Sequence, residues 1–119
     1  MKDLSYFPKI YIAVKPVDFR KQSRGLATVV KNVLNSNPLE NKLLFAFTNK
    51  RRDSIRLLYW DQTGFALWSK VLEKDKYFWP KSKVDVKNSI SSKELKWILQ
   101  GIDLTKVKTH KKLNFDKIY

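Results

Sequence analysis

Between Leu43 and Leu72, three short apolar runs rich in aromatics are separated by two polar ones, Asn49-Lys50-Arg51-Arg52-Asp53 and Asp61-Gln62-Thr63-Gly64. Phe, Ile, Tyr, Trp and Val dominate the runs, and each run is too short for a stable helix, so the stretch predicts strands. The first polar run has a turn composition, and the second ends in a glycine able to take positive φ. A three-stranded antiparallel meander follows, with three consecutive cations on its first turn and Arg56 just inside the next strand. The rest of the chain is then expected to cover one face of the sheet.

A chain of 119 residues fits one domain and buries enough surface to fold without a staple. It contains no cysteine, which excludes disulfides, zinc–thiolate sites and thiol catalysis. No apolar stretch reaches membrane-spanning length and the first residues lack a signal-peptide core, so a cytoplasmic protein without membrane contact is expected. Lys and Arg number 25 against 11 Asp and Glu, a net charge of +14. Such an excess repels itself and points to a polyanionic partner, DNA above all.

Ile10–Val14 alternates as a strand does, and Lys15-Pro16 ends it. Leu26, Val29, Val30, Val33 and Leu34 form one apolar stripe of a helix expected from Ser23 to Asn35, with Ser23 as N-cap and Asn37-Pro38 as its stop. Beyond the meander, Tyr77-Phe78-Trp79 reads as a fourth short strand closed by Pro80, and residues 81–87 as a basic connector of weak strand character. Ser91 and Glu94 stand at capping-box spacing before a stripe of Leu95, Ile98, Leu99 and Ile102, and Gly101 is placed to end that helix. After residue 103 the pattern dissolves into a basic stretch, expected to be a mobile tail in which Leu113, Phe115 and Tyr119 are free to dock.

The inventory is poor in catalytic groups. His110, the only histidine, lies in that tail, and there is no glycine-rich phosphate loop. A metal-dependent nuclease would need Asp18, Asp61 and Asp103 to converge, whereas caps and turns account for all three. No catalytic residue, metal site or cofactor is expected. Cations instead fall in clusters: Arg20, Lys21 and Arg24; Lys50, Arg51, Arg52 and Arg56; Lys81 and Lys83, with Lys87 beyond. Guanidinium groups bind phosphate in bidentate fashion, which makes these the candidate nucleic-acid-binding residues. Tyr59, Trp60, Trp68 and Trp79 interleave with them, but aromatics on alternating strands more often build a core than a stacking platform.

Pro16-Val17-Asp18-Phe19-Arg20-Lys21, Asn49-Lys50-Arg51-Arg52-Asp53, Ile55 through Gly64, Tyr77-Phe78-Trp79-Pro80 and Leu95 through Asp103 occur in an order and spacing that resembles a known family. This is the Orf2-like (TnpB) transposase accessory protein of insertion-sequence-66-type mobile elements, and the likeness spans roughly residues 10–103. It implies a non-catalytic helper encoded beside a separate transposase, not the long RNA-guided nuclease that shares the TnpB name. Gln22, Ser23 and Arg24 stand where the family often has a Gly-aromatic-acid triplet before Gly25-Leu26.

The expected molecule is an α+β domain over residues 1–103, with an antiparallel sheet of about five strands, two helices packed on one face, and a basic tail over 104–119. Its expected role is assistance to DNA transposition by contacts to the DNA phosphate backbone. The alternatives are an adaptor that contacts the transposase subunit without touching DNA and, more distantly, a nuclease.

Overall fold

The computed structural model describes residues 2–82 and 85–103, so Lys83 and the expected tail over 104–119 lie outside the described residues. The strands are β1 (Lys9–Ala13), β2 (Leu43–Thr48), β3 (Ser54–Asp61), β4 (Gly64–Val71) and β5 (Lys87–Ile90), and the helices are α1 (Ser23–Asn32) and α2 (Ser92–Leu99). The five strands form one sheet in the order β4-β3-β2-β1-β5. The α+β class stands, and β2, β3 and β4 are the antiparallel meander.

Two features of the expected sheet need correction. It is mixed, because β1 and β2 run parallel, with Ile10 opposite Leu44 and Ile12 opposite Ala46. A strand followed by a helix and a second strand beside the first returns the chain in the same direction. The strand expected after the meander is also not Tyr77-Phe78-Trp79, which is irregular, but Lys87–Ile90, antiparallel to β1.

The helices do not share a face. Leu26, Val30 and Leu34 pack with Leu43, Phe45, Phe47 and Leu58 on one side of the sheet. Leu95 and Ile98 of α2 pack with Ile10, Ile12, Leu44, Ile55, Leu57 and Tyr59 on the other, joined by Leu4 and Phe7 from the leader and by Tyr77 and Trp79. The reason lies in β2, where every residue is buried. Leu43-Leu44-Phe45-Ala46-Phe47 puts apolar side chains on both faces, and both must be shielded from water.

Local signals fared well where they were chemical. Ser91 Oγ accepts from the Glu94 amide at 3.1 Å and Glu94 Oε1 from the Ser91 amide at 3.1 Å, completing the capping box. Gly101 takes φ +79° at the end of α2. Helix α1 stops at Asn32, short of Asn35, and its N-cap is Gln22 without a side-chain bond, not Ser23. In the β3–β4 turn it is Gln62, at φ 55°, that turns left-handed, and Gly64 simply opens the next strand.

Candidate functional site

Strand directions decide where the cations go. Strand β3 starts where β2 ends, Ser54 pairs with Val71 at the end of β4, and Ala13 pairs with Lys87 at the start of β5. One end of the sheet therefore gathers the loop into α1, the β2–β3 hairpin tip, the segment after β4 and the connector into β5. The clusters at Arg20–Arg24, Lys50–Arg52 and Lys81 share this end. Arg56 stands just inside it on the α1 side, while Asp61 marks the opposite end and pairs with Lys2 at 3.6 Å. Asp18 is thus the length of β3 away from Asp61, and among the described residues no group of three or more His, Asp or Glu is placed to hold a metal ion.

The loop before α1 is tied down at several points. The Val17 amide donates to the Thr48 carbonyl at 2.9 Å, which stitches the loop to the last residue of β2. Arg56 Nη1 donates to the Lys21 carbonyl at 2.8 Å, with its guanidinium 4.4 Å from the centre of the Phe19 ring. A Cβ on Gly25 would stand 2.9 Å from Lys21 Cβ, so glycine is what lets the Lys21 stem lie against the first turn of the helix. Arg20 and Asp18 form a fork, Nη2 to Oδ2 at 2.6 Å and Nε to Oδ2 at 2.9 Å, and the Arg20 amide also donates to Asp18 Oδ1. The Arg20 side chain, then its amide, hold the Asp18 carboxyl at about 2, below its ordinary value. Arg56 and Arg20 therefore already have protein partners, whereas Lys21 and Arg24 are exposed.

At the hairpin tip the Arg52 amide donates to the Asn49 carbonyl at 3.0 Å. Asn49 Nδ2 donates to Asp53 Oδ1 at 2.7 Å, and Asn49 Oδ1 accepts from the Ser54 amide at 3.1 Å. Asp53 therefore orders the tip through Asn49 and not through a neighbouring arginine. Its carbonyl accepts from the Leu72 amide. Lys50 and Arg51 are exposed, and Arg52 is half-buried at φ 60° with a buried Nε that has no partner among the described residues. Left-handed backbone on a residue with Cβ is costly, and so is an unpaired buried N–H.

On the α2 side, Arg52 and Lys81 line an open trough of about 1190 Å³ together with Lys74, Lys76 and Phe78. Lys74, Lys76 and Phe78 were not among the candidates from sequence. The signal was there in Tyr77-Phe78-Trp79, since alternation puts Phe78 opposite its neighbours. Two other lysines are engaged elsewhere: Lys87 Nζ donates to Ser36 Oγ at 2.6 Å, and Lys70 Nζ to the Leu99 carbonyl at 3.1 Å at the end of α2. Of the interleaved aromatics, Tyr59 and Trp79 are core and Trp68 packs against it. Trp60 lies edge-on to Phe65 near the opposite end of the sheet.

A mixed five-stranded sheet with a helix on each face and cations gathered at one end is the architecture; its ancestry comes from comparison. The family described as IS66 Orf2 like protein matches residues 8–109, and this chain belongs to that family of insertion-sequence proteins. Two proteins of Sinorhizobium fredii (strain NBRC 101917 / NGR234) are similar to it. The uncharacterized protein y4jC is 37% identical over 100 residues, covering 84% of each chain. The uncharacterized protein y4hO is 30% identical over 95 residues, covering 80% of this chain and 81% of its own. No solved structure matches the chain significantly.

Proposed function

We propose that this protein is a non-catalytic accessory factor of insertion-sequence transposition that binds DNA through its phosphate backbone. The observation that carries this reading is the gathering of the Arg20–Arg24, Lys50–Arg52 and Lys81 clusters at one end of the sheet, in a chain of net charge +14. Lys21, Arg24, Lys50, Arg51, Arg52 and Lys81 are without an acidic partner among the described residues and offer their charge, and Arg20 joins them when Asp18 releases it. Phosphate contacts position a protein without reading sequence.

The test is a salt titration of binding to random-sequence duplex DNA. Neutralising about four to seven phosphates gives a slope of log affinity on log salt near −4 to −6. A salt-independent affinity, or no binding at about 50 mM salt, removes the reading.

A second reading, an adaptor for the transposase subunit, is favoured by an apolar groove of about 330 Å³ beside α1, lined by Val17, Val29, Val33 and Val86. Val33, the residue that caps the end of α1, is 51% exposed there although it is apolar. Titrating purified transposase against the wild type and V33D separates the two, since V33D leaves a DNA-only role intact.

A further inference from the structure

After β4 the chain passes through Lys76-Tyr77-Phe78-Trp79-Pro80-Lys81, which forms no strand. Tyr77 and Trp79 are 2% and 5% exposed, whereas Phe78 between them is 48% exposed. Both buried neighbours are fastened. The Tyr77 amide donates to the Arg52 carbonyl at 2.7 Å. The Trp79 indole Nε1 donates to the Ala13 carbonyl at 2.8 Å. Phe78 is therefore held outward by two anchors, and its ring is not a loosely placed surface side chain. It lines the trough whose cations are Arg52, Lys74, Lys76 and Lys81.

The chemistry of that lining is selective. A bare phosphate or the rigid backbone of a duplex has no use for a phenyl face, because the bases of a duplex are stacked on one another. Asp75 also borders the trough and offers a hydrogen-bond acceptor that a purely phosphate ligand would not use. An unpaired nucleotide uses all three kinds of group. Its base stacks on an aromatic ring, its phosphates meet the cations, and exocyclic amino groups find a carboxylate acceptor. At about 1190 Å³ the trough is larger than the usual small-ligand cleft of about 300–1,000 Å³, and so has room for a nucleotide with its neighbours.

We infer that the trough beside Phe78 binds an unpaired nucleotide of single-stranded DNA, with Phe78 as the stacking platform. The inference rests on the DNA-binding reading above and narrows it to a strand that is melted, frayed or displaced.

The experiment uses a single strand of about 16 nucleotides, the upper site size of one single-strand groove, carrying an internal 2-aminopurine, beside the duplex of the same sequence. Expected is quenching of the 2-aminopurine on binding, a loss of about tenfold in single-strand affinity in F78A, duplex affinity unchanged, and recovery in F78W. Because Phe78 is half exposed, F78A is expected to fold, and its circular dichroism spectrum is compared with that of the wild type. Single-strand binding by F78A equal to wild type, with salt-dependent duplex binding intact, overturns this inference and leaves the proposed function standing. Failure of the wild type to bind either form overturns both.

Discussion

The guanidinium of Arg56, on β3, donates its Nη1 hydrogen to the carbonyl oxygen of Lys21, a residue thirty-five positions earlier in the chain. One side chain on the sheet thus fixes the height of the loop that carries Arg20, Lys21 and Arg24. Arg56 was a candidate phosphate ligand by composition, and its geometry is that of a brace.

Removing the brace tests this. R56A is expected to cost about 1–2 kcal/mol in urea denaturation, from a charge-assisted hydrogen bond and a stacked cation. R56K recovers only part, because an ammonium lacks the planar fork that stacks on Phe19. Unchanged stability in R56A would show that the loop holds itself.

Arg52 offers a comparison in which the side chain is removed either way. R52A keeps the left-handed strain and R52G relieves it, so R52G is expected to be the more stable by about 1 kcal/mol. Both should lower the salt slope of DNA binding by about one. K50A and R51A, at exposed positions, should shift stability by no more than about 0.5 kcal/mol.

Asn49 serves both strands of the tip through Asp53 and the Ser54 amide. N49A is expected to cost about 1–3 kcal/mol, since it strands half-buried partners. Calorimetric melting of N49A beside N49S checks it.

The Asp18–Arg20 fork gives a prediction in both charge and pH. The folded carboxyl titrates at about 2 against an ordinary 3.8. A depressed acid adds stability above its unfolded pKa and loses it as pH falls through the folded one, so the contribution of this pair fades between about pH 4 and pH 2. The pair is fully exposed, and its effect on stability is correspondingly small. Its effect on the proposed DNA binding is expected to be larger. D18N removes a negative charge and frees Arg20, and should tighten duplex binding and steepen the salt slope by about one. A D18N slope equal to wild type would place Arg20 away from the DNA.

The elements that could be read from the chain were those whose signal is local. The meander, the stripe at Leu26, Val30 and Leu34, the Ser91–Glu94 box and Gly101 are each specified by residues within a few positions of one another. Pairing partners were not legible in this way. Nothing near Ile10 states that Leu44 lies beside it, and only the unbroken run Leu43–Phe47 hinted that both faces of β2 need cover. Tyr77-Phe78-Trp79 was read as a strand from its aromatic composition, but strand-forming residues do not by themselves supply a pairing partner, and the segment is irregular. For the site, cation clusters were visible and their occupancy was not. That Arg20 and Arg56 are engaged while Lys74 and Lys76 border a trough depends on contacts between distant segments.

Strand β1 sits between β2 and β5, so its second edge is closed by residues from the far end of the chain. During synthesis β1, β2 and the meander can emerge and pair while one edge of β1 stays open, until Lys87–Ile90 has left the ribosome. Non-local pairing of this kind is slow, and an unpaired apolar edge is a template for other chains. A chain that stops before Lys87 is therefore expected to leave this edge of β1 open, with no strand of its own to close it.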